Sequence, residues 1–253
     1  MFAEERRNAI ADLVREHGRV DSGDLSVRYD VNPETVRRDL QVLQDRGLIH
    51  RVYGGAVATD RLMREVAVAN RGTLMRAEKE RIATVAVGLV RDGDAIFIDA
   101  GSTTALFAEG LPTTGHLTIF TNALPIAMHL SDHTDHTVQT VGGRVRGTTY
   151  AEVDGWALER LASLRVDTSF VGTNGIDPSW GLSTPDPSEG AVKRAMLAAA
   201  TQNVLLADHS KVGVSHACRY AELDAIDVLV TDEGIDARAL SSIRDRGLEV
   251  LLA

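Results

Sequence analysis

Residues 32–40 read Asn-Pro-Glu-Thr-Val-Arg-Arg-Asp-Leu and have the features of a short helix. Asn32 can cap the first free amides with its side-chain oxygen, and proline suits the first helical position. Val36, Leu40 and Leu43 recur at the spacing of one apolar helix face. The other side carries Thr, Arg and Gln, which is typical of a helix that enters the major groove of DNA. A solvent-exposed amphipathic helix fits equally well, so the neighbouring segments decide.

The segments around this helix predict a winged helix-turn-helix. Residues 3–17 form a helix with one apolar stripe, and Leu25 and Tyr29 give a second helix its buried face. A tight turn at Val31 then leads into the helix quoted above, which makes a helix-turn-helix. Residues 48–55 alternate like a strand and end in Gly-Gly, so a hairpin follows the third helix as a wing.

Residues 6–56 resemble the DNA-binding domain of the DeoR family of bacterial transcriptional regulators. The resemblance rests on the Thr-Val-Arg-Arg-Asp-Leu run at 35–40 and on the wing that ends in Gly-Gly-Ala at 54–56. The family usually has Ser where this chain has Asn32, and His where it has Tyr53. The DNA-contacting residues expected on the helix and wing are Asn32, Thr35, Arg37, Arg38, Gln41, Arg51 and Tyr53.

Composition restricts the class of protein. The chain has 253 residues, 44% of them hydrophobic, and a formal net charge of −9. This acidity argues against a protein that coats nucleic acid nonspecifically. Residues 1–57 carry nine Arg and ten acidic residues, so this part is nearly neutral and can turn a local basic face toward phosphate.

Cysteine and hydropathy exclude other classes. Cys218 is the one cysteine, which excludes an intramolecular disulfide framework and a Cys-rich zinc site, and we interpret it as a structural or incidental thiol. The N-terminus lacks the apolar core of a signal peptide, and no apolar run approaches the ~20 residues of a membrane span. We therefore expect a cytoplasmic protein.

The rest of the chain predicts a second domain of the α/β class. We place the winged helix-turn-helix domain at 1–57, a linker at 58–77, and an effector-binding and oligomerisation domain at 78–253. From residue 78 onward, short apolar strands alternate with helical stripes, which predicts crossover units and a mostly parallel sheet. The expected strands are 95–98, 117–120, 137–141, 166–171, 204–207, 226–230 and 248–252.

Polar residues follow several of these strands, where ligands bind in open α/β sheets. Gly101-Ser102-Thr103-Thr104 lies between a strand and a helix, and such a helix start favours a phosphate group. Ser and Thr also favour any helix start, so this alternative stays open. The chain has 24 Arg and only three Lys, and a rare Lys can mark a site that needs a compact charge. On this ground we favour a binding role for Lys211, leave Lys193 open, and expect Lys79 to be solvated and paired with Glu78 or Glu80.

The second half also resembles the effector domain of the DeoR family, which is similar to ribose-5-phosphate isomerase and binds phosphorylated sugars. The matches include the run from Asp99 to Thr104 and the Asp-His-Ser-Lys run at 208–211. The resemblance implies that residues 101–104 hold phosphate and that Asp99, Asn122, Glu189 and Lys211 face the sugar. The complete set expected at this site is Asp99, Gly101, Ser102, Thr103, Thr104, Asn122, Gly142, Gly143, Gly175, Glu189, Lys193 and Lys211.

The resemblance thus implies a transcriptional regulator, in this family most often a repressor of a sugar or carbon-metabolism operon. We expect operator DNA, a phosphorylated sugar and further copies of the chain, as dimer or tetramer, to be its partners. We expect no catalytic residues, metal or cofactor. The competing hypothesis is a sugar-phosphate isomerase-like enzyme with an accessory winged-helix head, since carboxylates and a lysine can do acid–base chemistry. A winged-helix module that binds protein rather than DNA is the third alternative.

Overall fold

The computed structural model describes residues 3–46, 48–52, 54–58 and 71–253. The chain divides into two compact units, residues 1–64 and 65–253. The first unit contains α1 (Ala3–His17), β1 (Arg19–Asp21), α2 (Ser22–Tyr29), α3 (Pro33–Asp45), β2 (Ile49–Val52) and β3 (Gly55–Ala58).

The first unit is a winged helix-turn-helix, as the sequence predicts. Asn32 caps α3, because its side-chain oxygen accepts a hydrogen bond from the Thr35 amide at 2.7 Å. Asp30 adopts a left-handed conformation with φ of 49° and ends α2, which makes the turn between the helices tight. The wing strands β2 and β3 pair antiparallel, and β1 adds to β3. A small apolar core joins the helices to the wing, and Leu40, Leu43 and Ile49 are almost fully buried in it.

The second unit alternates helices and strands. Its helices are α4 (Arg76–Val87), α5 (Ser102–Glu109), α6 (Leu124–His133), α7 (Gly155–Ala162), α8 (Pro187–Ala199) and α9 (Ala237–Arg244). Its strands are β4 (Ala95–Ile98), β5 (Thr118–Thr121), β6 (Thr137–Thr140), β7 (Arg144–Val145), β8 (Glu152–Val153), β9 (Val166–Gly172), β10 (Gly175–Asp177), β11 (Gly181–Thr184), β12 (Ala200–Leu206), β13 (Cys218–Ala221), β14 (Val228–Thr231) and β15 (Glu249–Leu252).

A seven-stranded sheet forms the centre of this unit, in the order β15-β14-β12-β9-β4-β5-β6. All of its neighbouring strands pair in parallel, which confirms the predicted mostly parallel α/β fold. The chain enters at β4, moves outward to β6, returns to β9 beside β4, and then moves outward to β15. The direction of winding therefore reverses between β4 and β9, and a crevice opens beyond the carboxyl ends of strands at such a reversal.

Both faces of the sheet are covered by helices. Ile96 and Ile98 pack toward the core formed with α4, α5 and α6, whereas Phe97 between them packs toward the core formed with α7, α8 and α9. The rings of Phe107 on α5 and Phe170 on β9 stack with centroids 4.2 Å apart. The strands are apolar on both faces because both faces are buried, as is usual for parallel sheets.

The fold differs from the sequence expectations in its short segments. The helix expected from about residue 151 begins at Gly155, because residues 152–153 pair with β7 in a hairpin. The helix expected at 191–200 begins earlier, at Pro187, since the Asp186 side chain caps it by accepting the Glu189 amide at 3.0 Å. A small antiparallel sheet, β10-β11-β13, also occupies segments for which no strand was expected. Gly47, the expected end of α3, lies outside the described residues.

Candidate functional site

The exposed side of α3 carries two arginines. The Arg37 and Arg38 side chains are 67% and 77% exposed, while Val36 and Leu40 on the other side are buried. Both guanidinium groups lie near the Glu34 carboxylate, at 3.4 and 3.8 Å. Such exposed ion pairs are weak and worth at most about 1 kcal/mol, so both arginines are available to a stronger anion.

The wing is tied to this helix through two glutamines. The backbone amide of Arg51 donates to the Gln44 side-chain oxygen at 2.8 Å, and the Arg51 guanidinium donates to the side-chain oxygen of Gln41. Gln41 in turn donates to the Asp45 carboxylate at 2.8 Å. The structure therefore brings Gln41 and Arg51 together at the junction of helix and wing. Tyr53 lies outside the described residues.

The first turn of α3 uses two of the expected DNA-contacting side chains for its own cap. The Thr35 hydroxyl donates to the Asn32 side-chain oxygen at 2.8 Å, and the same oxygen accepts the Thr35 amide. A capped first turn fixes the direction in which α3 leaves the turn. Asn32 and Thr35 thus have a structural role whatever else they contact.

Asp39 has a role that the sequence analysis did not assign. It is 1% exposed, and its two carboxylate oxygens accept from the Nε atoms of Arg6 at 2.6 Å and Arg7 at 2.8 Å. The pair docks α1 on α3 across more than thirty residues of sequence. One feature of the sequence could have indicated this role: Asp39 is an acidic residue next to Leu40 on the apolar stripe, where an unpaired charge would be costly.

A cavity opens in the second unit where the winding of the sheet reverses. Its walls come from the loops after β4, β9 and β12, from α8 and from the segment before α4. The cavity is narrow, with a volume of about 30 Å³. The empty space, including the open mouth of the cavity, is about 450 Å³. The lining residues are Arg71, Ala100, Gly101, Ser102, Thr103, Thr104, Gly172, Thr173, Asn174, Glu189, Lys193, Leu206, Ala207 and Lys211.

This cavity unites seven of the twelve residues expected at the effector site: Gly101, Ser102, Thr103, Thr104, Glu189, Lys193 and Lys211. The start of α5 supplies the first four, and the backbone N–H groups of a first helical turn lack partners within their helix. The cavity thus combines a helix start with basic side chains, a combination that favours an anion.

Asp99 and Lys193 form a buried ion pair at the bottom of this region. Asp99 is 1% exposed, accepts from the Lys193 ammonium, and accepts from the Gly172 amide at 3.0 Å. Burial raises the pKa of Asp99, while the Lys193 charge and the Gly172 amide oppose that rise. Lys193 also donates to the Gly172 carbonyl at 3.0 Å and lies 5.9 Å from the centre of the Tyr220 ring. Asp99 therefore positions Lys193 and is not among the residues that line the cavity.

Glu189 connects the cavity to the β7–β8 hairpin. Its carboxylate accepts from the Thr149 hydroxyl at 2.5 Å and from the Arg146 guanidinium. Arg146 also pairs with Asp186 at 3.1 Å. Thr149 and Arg146 belong to the loop of the hairpin, so this loop is fastened to the first turn of α8. Neither residue was predicted from the sequence, because no pattern in the residues around it marks it.

The other expected residues are not among those that line the cavity. Asn122 is buried, and its side-chain oxygen accepts the Ala100 amide at 2.9 Å, which joins the ends of β4 and β5. Gly142 donates its amide to Glu152 at 2.7 Å. A Cβ at Gly143 would collide with the Val153 carbonyl.

Gly175 likewise serves a close approach of backbones. A Cβ there would collide with the Val214 carbonyl, because β10 passes close to the segment before β13. The contacts of Asn122, Gly142, Gly143 and Gly175 thus hold neighbouring loops and strand ends together.

The expectation for Lys79 was wrong. Lys79 is 2% exposed, and its ammonium donates to the carbonyl oxygens of Arg71 and Leu74, both at 2.6 Å. Burial lowers its pKa to about 8, with the positive charges of Lys211 and Arg71 adding to the effect and Asp208 opposing it. The flanking Glu78 and Glu80 suggested a solvated pair, but the turn before α4 folds back over the side chain and removes it from water.

A winged helix-turn-helix joined to a doubly wound α/β unit with an anion-favouring cavity defines the class of transcriptional regulators that have a separate sensor domain. The chain matches the family models of the DeoR-like helix-turn-helix domain over residues 6–61 and of the DeoR C-terminal sensor domain over residues 75–233. The chain belongs to the DeoR family of transcriptional regulators.

Curated relatives are similar over nearly their whole length. The HTH-type transcriptional regulator GlpR of Haloferax volcanii is 34% identical, over 99% of this chain and 98% of that protein. The transcriptional repressor GlcR of Bacillus subtilis is 32% identical, over 100% and 97%. A putative aga operon transcriptional repressor of Escherichia coli O157:H7 is 31% identical, over 98% and 93%. These relatives are named as regulators or repressors, in agreement with the expected regulator rather than the isomerase-like alternative.

Solved structures show more distant similarity. A probable sor operon regulator from Shigella flexneri aligns with a TM-score of 0.44 and 13% identity, over 72% of this chain and 92% of that one. A ribose 5-phosphate isomerase A from Methanocaldococcus jannaschii aligns with a TM-score of 0.39 and 21% identity, over 55% of each chain. In the described part of the chain, no helix combines the length and apolar character that crossing a membrane requires.

Proposed function

We propose that this regulator is a repressor of a sugar or carbon-metabolism operon whose operator binding is controlled by a phosphorylated sugar. The cavity at the carboxyl ends of β4, β9 and β12 is the observation that carries the proposal. It combines the start of α5 with basic side chains, and a phosphate group carries the charge and the acceptor oxygens that both would bind.

Charge at the cavity favours a phosphate over a neutral sugar. Its lining includes the basic residues Arg71, Lys193 and Lys211 and one acidic residue, Glu189. Glu189 is also occupied by Arg146 and Thr149, which reduces its repulsion of an anion. A dianionic phosphate near the α5 start would therefore be attracted by the helix dipole and by the charges of Arg71 and Lys211, while the charge of Lys193 is already paired with Asp99.

A second cavity offers room for the rest of the ligand. It adjoins the first cavity at Gly101 and Ser102 and has a volume of about 200 Å³. The first cavity alone is too narrow for a sugar unless side chains move. We infer that the phosphate lies by residues 101–104 and that the sugar extends from this shared rim. Glu189 and Asn174 at the first cavity, and Thr149 at the second, offer partners for hydroxyl groups.

The DNA-binding unit would act as one of a pair. A single winged helix-turn-helix makes few base contacts, so useful specificity needs two heads on two half-sites. We propose that the chain acts as a homo-oligomer in the cytoplasm, where its operator lies. Binding of the sugar phosphate would change the population of head arrangements and thereby the affinity for paired half-sites. Two of the relatives are named as repressors, which supports the proposal that this chain represses transcription rather than activating it.

A thermal-shift screen of sugar phosphates, each paired with its unphosphorylated sugar, tests this function. One or more sugar phosphates should raise the melting temperature in proportion to the logarithm of their concentration. The shift should shrink in Ser102→Ala and Lys211→Ala and persist in Ser163→Ala, an exposed serine at the end of α7. If no sugar phosphate shifts the wild type, or if unphosphorylated sugars act equally, the proposed function fails.

A further inference from the structure

The turn before α4, residues 72–75, has a backbone fixed by one buried side chain. Lys79 reaches back from α4 and donates to the carbonyl oxygens of Arg71 and Leu74, which bracket most of this turn. Met75 closes it in a left-handed conformation with φ of 52°. A buried ammonium with two carbonyl partners is costly to release, so the turn and Arg71 keep a defined position although Leu74 is exposed.

This same segment forms part of the walls of both cavities. Arg71 lines the narrow cavity opposite the start of α5, and Gly72 and Arg76 line the adjoining one. In sequence, this segment lies near the start of the second unit, which begins at residue 65. A ligand in the cavity would therefore contact a segment that is close in sequence to the boundary between the two units.

The Lys79 ammonium, which holds the turn at 72–75, interacts electrostatically with charges at the cavity. Lys211 lines the cavity, and its positive charge adds to burial in lowering the pKa of Lys79. A phosphate dianion beside Lys211 and Arg71 would offset this positive charge and favour the protonated form of Lys79. Since the protonated form makes the strongest hydrogen bonds to carbonyl groups, an anion in the cavity would stabilise the turn.

We propose that Arg71 contacts the phosphate group of the effector and that the turn at 72–75, locked by Lys79, transmits occupancy of the cavity to the DNA-binding unit. This inference rests on the proposed function and deepens it, because it names the element that couples the two sites. Coupling of two sites requires an element that both sites bias.

The test uses the full chain and inorganic phosphate as the probe, at constant ionic strength. Arg71→Gln should raise the Kd for phosphate about tenfold, the usual effect of losing one charge-assisted contact. Arg81→Gln is the matched control, since Arg81 is an exposed residue of α4 that is not among the residues lining either cavity. Saturating phosphate should slow hydrogen exchange at amides 72–79 in the wild type and in the control.

The coupling is read with a DNA fragment selected from a random-sequence pool. Saturating phosphate should change the affinity of the wild type for this DNA at least ~5-fold, and Arg71→Gln should lose that change even when saturated. If phosphate binds Arg71→Gln as tightly as the wild type, or if the saturated variant still responds fully, the inference fails while the proposed site stands. If the wild type does not bind phosphate, the proposed function fails as well.

Discussion

Buried charges at single residues organise both units of this regulator. Asp39 holds α1 against α3, Lys79 holds the turn before α4, and Asp99 positions Lys193 below the cavity. Each charge has its partners in place, because a buried charge without partners costs several kcal/mol. Asp39 and Asp99 are hard to recognise in the sequence because their partners lie far away in the chain. Lys79 was misjudged for another reason, since the nearby turn before α4 folds back over its side chain.

Asp39→Ala should loosen the DNA-binding unit. The substitution leaves the buried guanidinium group of Arg6 and the partly buried one of Arg7 without their shared carboxylate. We expect a loss of about 3 kcal/mol, the lower end for breaking a buried pair, because Arg7 can still reach water. Hydrogen exchange of the slowest amides in α1 and α3 measures this within the full chain.

Asp45→Ala in the same helix is the matched control. Asp45 is exposed and accepts a hydrogen bond from the Gln41 side chain. Because this pair lies in solvent, the loss of Asp45 should cost less than about 1 kcal/mol. Equal acceleration of exchange in the two variants would show that Asp39 does not clamp α1 to α3.

Among the elements, α3 and its wing were predicted well and the β7–β8 hairpin was not. Helix α3 carries its own signals in sequence, namely a cap, a proline at its start and an apolar stripe. The hairpin strands are two residues each and depend on distant partners, since Arg146 fastens their loop to Glu189 on α8. Periodicity cannot show such an element, because two residues contain no period.

The exposed face of α3 predicts the effect of its two arginines. Arg37→Ala and Arg38→Ala should each weaken operator binding about tenfold, since one good contact to a base or phosphate is worth ~1–3 kcal/mol. A variant that has lost a phosphate contact should also show a smaller salt dependence. Both variants should keep the wild-type response to sugar phosphate in the thermal-shift assay, because the cavity lies in the other unit.

Arg91→Ala provides a control with the same change in charge. Arg91 is an exposed residue of the turn before β4 in the second unit, so its loss should leave operator affinity within about twofold. Gel shifts over a range of salt concentrations would decide the matter. Unchanged operator affinity in both Arg37→Ala and Arg38→Ala would exclude α3 as the recognition helix.

For the whole molecule, the order of the strands in the sheet decides where a ligand can bind. That order could not be predicted from the sequence pattern. Alternating strands and helices predicted a parallel sheet, and residues 101–104 lie between a strand and a helix, as expected. The return of the chain to β9 beside β4 is set by long-range packing, as in the contact of Phe107 with Phe170. Only that return brings Lys193 and Lys211 to the start of α5.

Paired heads predict how the operator must be built. Because each head binds one face of the duplex, two linked heads need half-sites whose centres are separated by whole helical turns of about 10–10.5 base pairs. Inserting five base pairs between the half-sites should lower affinity about 100-fold, since the second head loses its high effective concentration. Inserting ten should restore much of it, and the same insertion outside the half-sites should have no effect. If the five-base-pair insertion leaves the affinity of the full chain unchanged in a gel shift, the heads do not act as a linked pair.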